Sequence, residues 1–453
     1  MSKSVVKKYS MDMCEGPILK KMLLFALPLM ASSLLQLLFN AADIIVVGQF
    51  AGDNSLAAVG STTSLVNLFV NFFIGLSVGA NVLVARFYGA KREKDLSETV
   101  HTAMAISLVS GIVLTIVGTL GAPHILSWMQ TPKEVLDLAV IYLRTYFMGM
   151  TAMMIYNFGA AILRAVGDTR RPLYYLVVAG VINVIFNLFF VIIFHWGVFG
   201  VGLATTISQI ISAVLIVRCL MKEQGAVQIR LREIKIHKNL LFKILQIGVP
   251  AGFQSILFSL SNVFIQSSVN SFGATVMAGN SAASNIEGFV YVSMNSFHQA
   301  AIAFTSQNYG AKKYDRINRI LFTAQGCTIV VGTVLGLGIV ATGPILLRLY
   351  TTSSDVVTAG MVRLSIICVT YALCGVMDVM VGALRGIGYS VMPMIISLIG
   401  ACATRLIWLS TVFQIDAFHK IETVYIIYPI SWILTATAHI ITFTIARRKI
   451  EQR

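Results

Sequence analysis

Long apolar runs separated by short polar or charged segments set the pattern along the chain. Crossing roughly 30 Å of hydrocarbon takes about 20 predominantly apolar residues in a helix. Twelve runs reach that length: 18–48, 55–85, 97–120, 136–163, 172–195, 197–220, 240–268, 275–306, 317–341, 357–384, 391–413 and 423–446. Several are long enough to tilt or to extend into solvent. Pro28 and Pro250 lie inside the first and seventh runs and predict kinks there. The pattern predicts an all-α membrane protein of twelve transmembrane helices.

The two halves repeat. A near-constant offset aligns F-Y-G-A-K (87–91) with N-Y-G-A-K (308–312), and L-R-A-V-G-D-T-R-R-P (163–172) with L-R-G-I-G-Y-S-V-M-P (384–393). It also brings A-L-P (26–28) onto G-V-P (248–250), and Asn40 onto Asn262. Six spans per half start each half on the same side of the membrane, so the repeats are parallel, with a substrate path expected between them. The expected domains are a six-helix lobe at 1–220, a basic cytoplasmic linker at 221–239 and a second six-helix lobe at 240–453.

Composition narrows the class. The chain is 57% hydrophobic and 12% charged, whereas ordinary soluble domains carry about 25% charged residues. The net charge of +15 would suggest a nucleic-acid partner in a soluble protein. Here 28 of the 34 Lys and Arg residues fall on alternate loops, from Lys3, Lys7 and Lys8 at the start to Arg447, Arg448 and Lys449 at the end. The opposite loops hold only Lys133, Arg348 and Lys420. The positive-inside rule therefore places both termini in the cytoplasm and removes the case for nucleic acid. The basic N-terminus lacks an A-x-A cleavage signal and reads as a retained tail. Six scattered cysteines imply neither a disulfide framework nor a zinc site. No G-x-x-x-x-G-K-[ST] run offers a phosphate cradle, so ATP is not the direct energy source, and no H-E-x-x-H run suggests an intramembrane enzyme.

The few polar groups within spans carry the candidate chemistry. A charge at the bilayer centre costs about 2.5–3.5 kcal/mol on insertion scales, so Asp43, Glu287 and Asp378 should face a cavity or a partner. Gln36, Asn40 and Asp43 share one helix face; Asn67 and Asn71, and Asn183 and Asn187, are i,i+4 pairs; Asn157 stands in the fourth span. Carboxylate and amide oxygens suit a hard cation such as Na⁺, while a lone Asp could instead take a proton. The amides could equally serve as helix–helix glue. In the eighth span Asn280, Ser284, Glu287, Tyr291, Met294 and His298 step along a single face. Such a face suits amphiphilic cations through charge, ring and thioether contacts, with bundle core as the alternative for Tyr291 and Met294. Asp378 either binds substrate or pairs with Arg405. Arg164 and Arg385, at inner helix ends, fit snorkelling to lipid headgroups.

These motifs resemble the MATE (multidrug and toxic-compound extrusion) family over nearly the whole chain. The resemblance rests on A-A-D-I-I-V-V-G (41–48), G-L-S-V-G-A-N-V-L-V-A-R-F-Y-G-A-K (75–91), S-Q-N-Y-G-A-K (306–312), and L-R-A-V-G-D and L-R-G-I-G, each after an even-numbered span. It implies a V-shaped, two-lobed exporter that alternates between inward-open and outward-open states, driven by Na⁺ or H⁺. Members commonly pair the first-span Asp with an Asp in the fifth span, close to where this chain has Asn187. Many carry a tenth-span acid where this chain has Cys374, one turn before Asp378. The expectation is a secondary antiporter of the plasma membrane, not an enzyme, exporting cationic or amphiphilic drugs in exchange for H⁺ or Na⁺. Asp43, Asn40, Asn157, Asn183 and Asn187 are expected at the coupling ion, and Glu287, Tyr291, Met294, Gln36, Asp378 and Arg405 at the substrate. Beyond that cation no cofactor or bound metal is expected, and the partners are drugs and membrane lipids, with a monomer as the working unit. The alternative is a lipid-linked oligosaccharide flippase of the same superfamily, whose members usually have a more cationic cavity.

Overall fold

The computed structural model describes residues 10–129 and 131–452. Lys3, Lys7 and Lys8 of the basic tail lie outside the described residues. Helices follow one another in the expected order: α1 Ile18–Phe50, α2 Asp53–Gly89, α3 Glu93–Trp128, α4 Lys133–Met148, α5 Met150–Ala165, α6 Arg170–Leu188 and α7 Gly197–Lys222. The second half supplies α8 Lys238–Asn270, α9 Ala274–Gly310, α10 Tyr314–Arg348, α11 Ser354–Gly386, α12 Val391–Ser397, α13 Thr404–Ser410 and α14 Ile421–Glu451. Wider π-type turns extend α6 through Phe189–Ile193 and join α12 to α13 through Leu398–Ala403.

Among the described residues ten of these helical stretches are long and apolar enough to cross a membrane, and α4 with α5 forms an eleventh bent by 44°. The bend falls at Gly149, without a proline; a Cβ there would meet the Gln209 side chain of α7. The twelfth expected span is α9, as long as α2 at 37 residues. It falls short in hydropathy because Asn280, Ser284, Asn285, Glu287 and His298 interrupt it. That is the helix with the polar face picked out in the sequence.

Packing inverts the soluble pattern. On α3, Val109, Ile112, Val113, Ile116 and Leu120 are exposed, whereas Ser107, Ser110, Gly111 and Gly118 are buried. Large apolar side chains suit a lipid solvent, and small residues let helices approach closely.

The internal repeat is visible in the backbone. Positive φ angles recur at equivalent positions of the two halves: Gly52 and Gly273, Lys91 and Lys312, and Gly167 and Gly388. Both G-A-K loops end a helix in the same way: Arg92 N donates to Phe87 O, and Lys313 N donates to Asn308 O. Such a left-handed residue closing off the last carbonyls is a common C-terminal stop.

Two compact units form, and they divide the chain elsewhere than at the linker. One contains residues 10–12 and Ala31–Gly252; the other contains Met13–Met30 and residues 253–452. α1 and α8 therefore each give their first half to one unit and their second half to the other. Residues 221–239, expected as a basic linker between the lobes, are fastened to the first unit: Arg230 N donates to His101 Nε2 (3.1 Å) and His237 N to Thr102 Oγ1 (3.3 Å). The first half of α8 is held there by glycines. Gly75 and Gly79 of α2 face Gly248 and Gly252 of α8 so closely that a Cβ on Gly79 would lie 2.2 Å from the Ile244 carbonyl oxygen. In the second unit Phe25 meets Phe304 edge-on at 5.7 Å, which seats the first half of α1 on α9.

Candidate functional site

Among the described residues a polar cavity lies between apolar helices in each unit. In the first unit a cavity of about 350 Å³ gathers Gln36, Asn40 and Asp43 from α1 and Asn67 and Asn71 from α2. Tyr142, Tyr146, Tyr156 and Asn157 reach it from the bent α4–α5 pair, Asn183 from α6, and Thr205, Ser208 and Gln209 from α7. Asn187 Nδ2 donates to Asp43 Oδ1 and is also 3.3 Å from Asn183 Oδ1. Asn183 Nδ2 lies 3.4 Å from Thr205 Oγ1. The amide oxygen of Asn187 is buried without a hydrogen-bond partner among the described residues. A buried acceptor is costly to leave unmade, and here it sits beside the carboxylate that its own NH₂ group contacts. The five expected coupling-ion residues, Asp43, Asn40, Asn157, Asn183 and Asn187, therefore share one site.

In the second unit a cavity of about 330 Å³ is lined by Asn262 and Gln266 of α8, Ser284, Glu287 and Tyr291 of α9, and Arg363, Tyr371, Cys374, Met377 and Asp378 of α11. Arg405 of α13 and Tyr428 and Trp432 of α14 complete it. The structure departs from the sequence reading at several residues here. Glu287 is not a free acid: Arg363 Nε donates to it at 3.1 Å, and a second guanidinium nitrogen contacts its other oxygen, both residues being buried. Arg363 also donates to Asn280 Oδ1 at 2.7 Å and lies over the Tyr425 and Tyr428 rings. Its cost in the bilayer is met by this local pairing, as buried charges require.

Met294 does not line the cavity. It is 2% exposed, within the core cluster, and its sulfur packs where Gly332 and Gly375 leave room. Gln36, expected at the substrate, lines the first unit's cavity together with Asn40 and Asp43 of the same helix face. Asp378 and Arg405 face the same chamber but do not form an ion pair: Arg405 Nε donates to Ser431 Oγ at 3.0 Å, and its guanidinium lies 4.4 Å from the Tyr428 ring centre. Nor does Arg385 snorkel. It is 6% exposed and donates to Gln254 Oε1 at 2.8 Å, and Gln254 in turn donates to Ser397 beside His439.

Sequence reasoning missed the three tyrosines of the first cavity and the Glu287–Arg363 pair. The i,i+4 spacing of Tyr142 and Tyr146 was a usable signal, as was the plain presence of Arg363 within a span. G-L-S-V-G (75–79) fits the letters of a nucleophile elbow. It lies inside α2, where Ser77 Oγ donates to Ile74 O, and lacks the strand–turn–helix such chemistry needs. Among the described residues no three His, Cys, Asp or Glu side chains gather to hold a metal.

Apolar helices of this length enclosing charge-bearing polar cavities belong to a membrane transporter rather than an enzyme. The MatE family model matches residues 28–189 and again 250–408, and the chain belongs to this family. The two matched stretches open at Pro28 and Pro250, the prolines that the internal repeat aligns. A relative from Bacillus subtilis, the probable multidrug resistance protein YoeA, is 30% identical over 84% of this chain and 83% of its own length. The probable multidrug resistance protein NorM of Thermotoga maritima is 24% identical over 90% of this chain and 88% of its own. A solved structure of the outward-facing conformation of a multidrug resistance MATE family transporter of the MOP superfamily superposes with a TM-score of 0.91. That match covers all of both chains at 21% identity.

Proposed function

We propose that this protein is a secondary antiporter that exports amphiphilic organic compounds bearing a cationic group, in exchange for H⁺ or Na⁺. The observation that carries the reading is the first unit's cavity, where the Asp43 carboxylate lies beside the unpartnered Asn187 oxygen in an amide-rich shell. An oxygen-donor set with one negative charge suits a monovalent hard cation, and the same carboxylate can take a proton. Moving one charge inward down 100 mV releases about 2.3 kcal/mol, enough for roughly fiftyfold accumulation outside. The aromatic second cavity supplies ring faces for an organic substrate. The relatives' names as probable multidrug resistance proteins support drugs as the cargo. We place the protein in the plasma membrane with both termini cytoplasmic, working as a monomer among lipids. The flippase alternative finds less support, because the two bases that line the second cavity, Arg363 and Arg405, are equalled in number by its two acids, Glu287 and Asp378.

Asp43→Asn keeps the shape of the site and removes its charge. In an efflux-deficient host it should reduce drug resistance to the vector level while the protein remains in the membrane at wild-type amounts. Wild-type resistance in that variant would overturn the coupling assignment.

A further inference from the structure

The repeat diverges beyond α7 and α14. In the first unit the chain leaves α7 and turns back over α3: Val227 and Ile229 are buried, and Arg230 N donates to His101 Nε2, leaving His101 2% exposed. In the second unit α14 runs on as helix to Glu451. Phe322 of α10 stands as far beyond Lys312 as His101 stands beyond Lys91, so the repeat makes the two equivalent, yet Phe322 is 73% exposed. A groove of about 510 Å³ lies there between α10, α11 and α14, with Leu321, Phe322, Ile329, Met380 and Phe443 in its walls.

The groove is basic at one end and apolar along its length. Asn318, Arg447 and Arg448 line the basic end. Arg447 is 5% exposed and fixed in place: Nε donates to Asn318 Oδ1 at 3.1 Å, and Nη2 donates to Tyr314 O at 3.2 Å. Arg448 beside it is exposed. Residues 312–319 hold four bases and one acid, and residues 447–451 three bases and one acid, so positive charge prevails at this end. Farther in, Gln325 and Thr444 direct their hydrogens to the carbonyls of Val376 and Ile440. From Asn318 to Ile329 the groove follows α10 for about 16 Å, at about 1.5 Å per residue. That is about the depth of one leaflet of a roughly 30 Å hydrocarbon core.

We propose that this groove is a binding site for one anionic glycerophospholipid, its phosphate on Arg447 and Arg448 and an acyl chain along α10 and α14. Guanidinium groups suit phosphate oxygens by charge and by their forked donors. Surrounding lipid fills any apolar hollow, so the hollow sets where the chain lies and the arginines set which headgroup stays. In the first unit the chain's own residues 225–237 cover the equivalent face; here a lipid does.

Native mass spectrometry of the full-length protein in detergent tests it, with dioleoyl phosphatidylglycerol, dioleoyl phosphatidylcholine and glycerol 3-phosphate as probes. One phosphatidylglycerol should bind at least tenfold tighter than phosphatidylcholine. Arg448→Gln removes an exposed charge without touching the helix contacts of Arg447, and should cut that preference about fivefold. Ile329→Trp fills the inner end of the groove from a lipid-exposed position and should weaken phosphatidylglycerol binding at least threefold. Equal binding of the two lipids overturns the proposal. So does an undiminished preference in Arg448→Gln, or undiminished affinity in Ile329→Trp, since either puts the lipid elsewhere on the protein. Displacement of phosphatidylglycerol by an equal concentration of glycerol 3-phosphate makes the basic end a site for free phosphate esters and overturns the lipid assignment.

Discussion

Glu287 and Arg363 show what a hydrocarbon interior demands of charge. From the chain alone Glu287 stood as an attractor for cationic drugs, since its partner lies 76 positions away on another helix. The structure makes it half of a buried pair that also fixes Asn280. Removing one partner of such a pair strands the other, at about 3–5 kcal/mol. Glu287→Gln and Arg363→Met should each lower the unfolding temperature in detergent, whereas the double variant should recover most of the loss. Additive losses in a thermal melt would show that the two residues act independently. Asn187 teaches the opposite lesson. Its spacing from Asn183 on one helix was legible, and the structure keeps it beside Asp43. Asn187→Leu deletes both the donor to Asp43 and the spare oxygen. It should cut transport at least tenfold, read as initial efflux rate in vesicles, while unfolding shifts little.

At the scale of elements, every long apolar run became helical, in one piece or in consecutive pieces, because in hydrocarbon the backbone must satisfy its own hydrogen bonds. What periodicity could not show was which helices touch. The glycines of G-L-S-V-G in α2 and G-V-P-A-G in α8 have the small-xxx-small spacing of close helix crossings. Their meeting moves the unit boundary into α8. Gly79→Ala drives a methyl group against the α8 backbone and should destabilise the protein by about 1–3 kcal/mol, as overpacking does. Gly60→Ala, in the same helix with open space at the Cβ position, should be neutral or stabilising by up to about 1 kcal/mol through helix propensity. Thermal melts of the pair check both signs. The bend at Gly149 was equally hidden, since no proline marks it.

At the scale of the molecule, the repeat was the most legible feature. Motifs shared by the two halves predicted backbone turns that recur at matching positions, down to the left-handed Lys91 and Lys312. The charge asymmetry predicts an orientation too, with both termini cytoplasmic. A fluorescent-protein fusion after Arg453 should fluoresce in cells and a periplasmic phosphatase fusion there should be silent; the reverse pattern would invert the topology. Sequence could not assign charges to partners, because pairing depends on how helices pack rather than on how each is written. The central claim is ion-driven export through these cavities. Its most direct measurement uses purified protein in liposomes loaded with a fluorescent cationic drug, with a pH gradient or a Na⁺ gradient imposed separately. The account predicts drug movement against its own gradient under at least one of the two, and loss of that movement in Asp43→Asn. Drug movement that ignores both gradients, or that survives unchanged in Asp43→Asn, would contradict it.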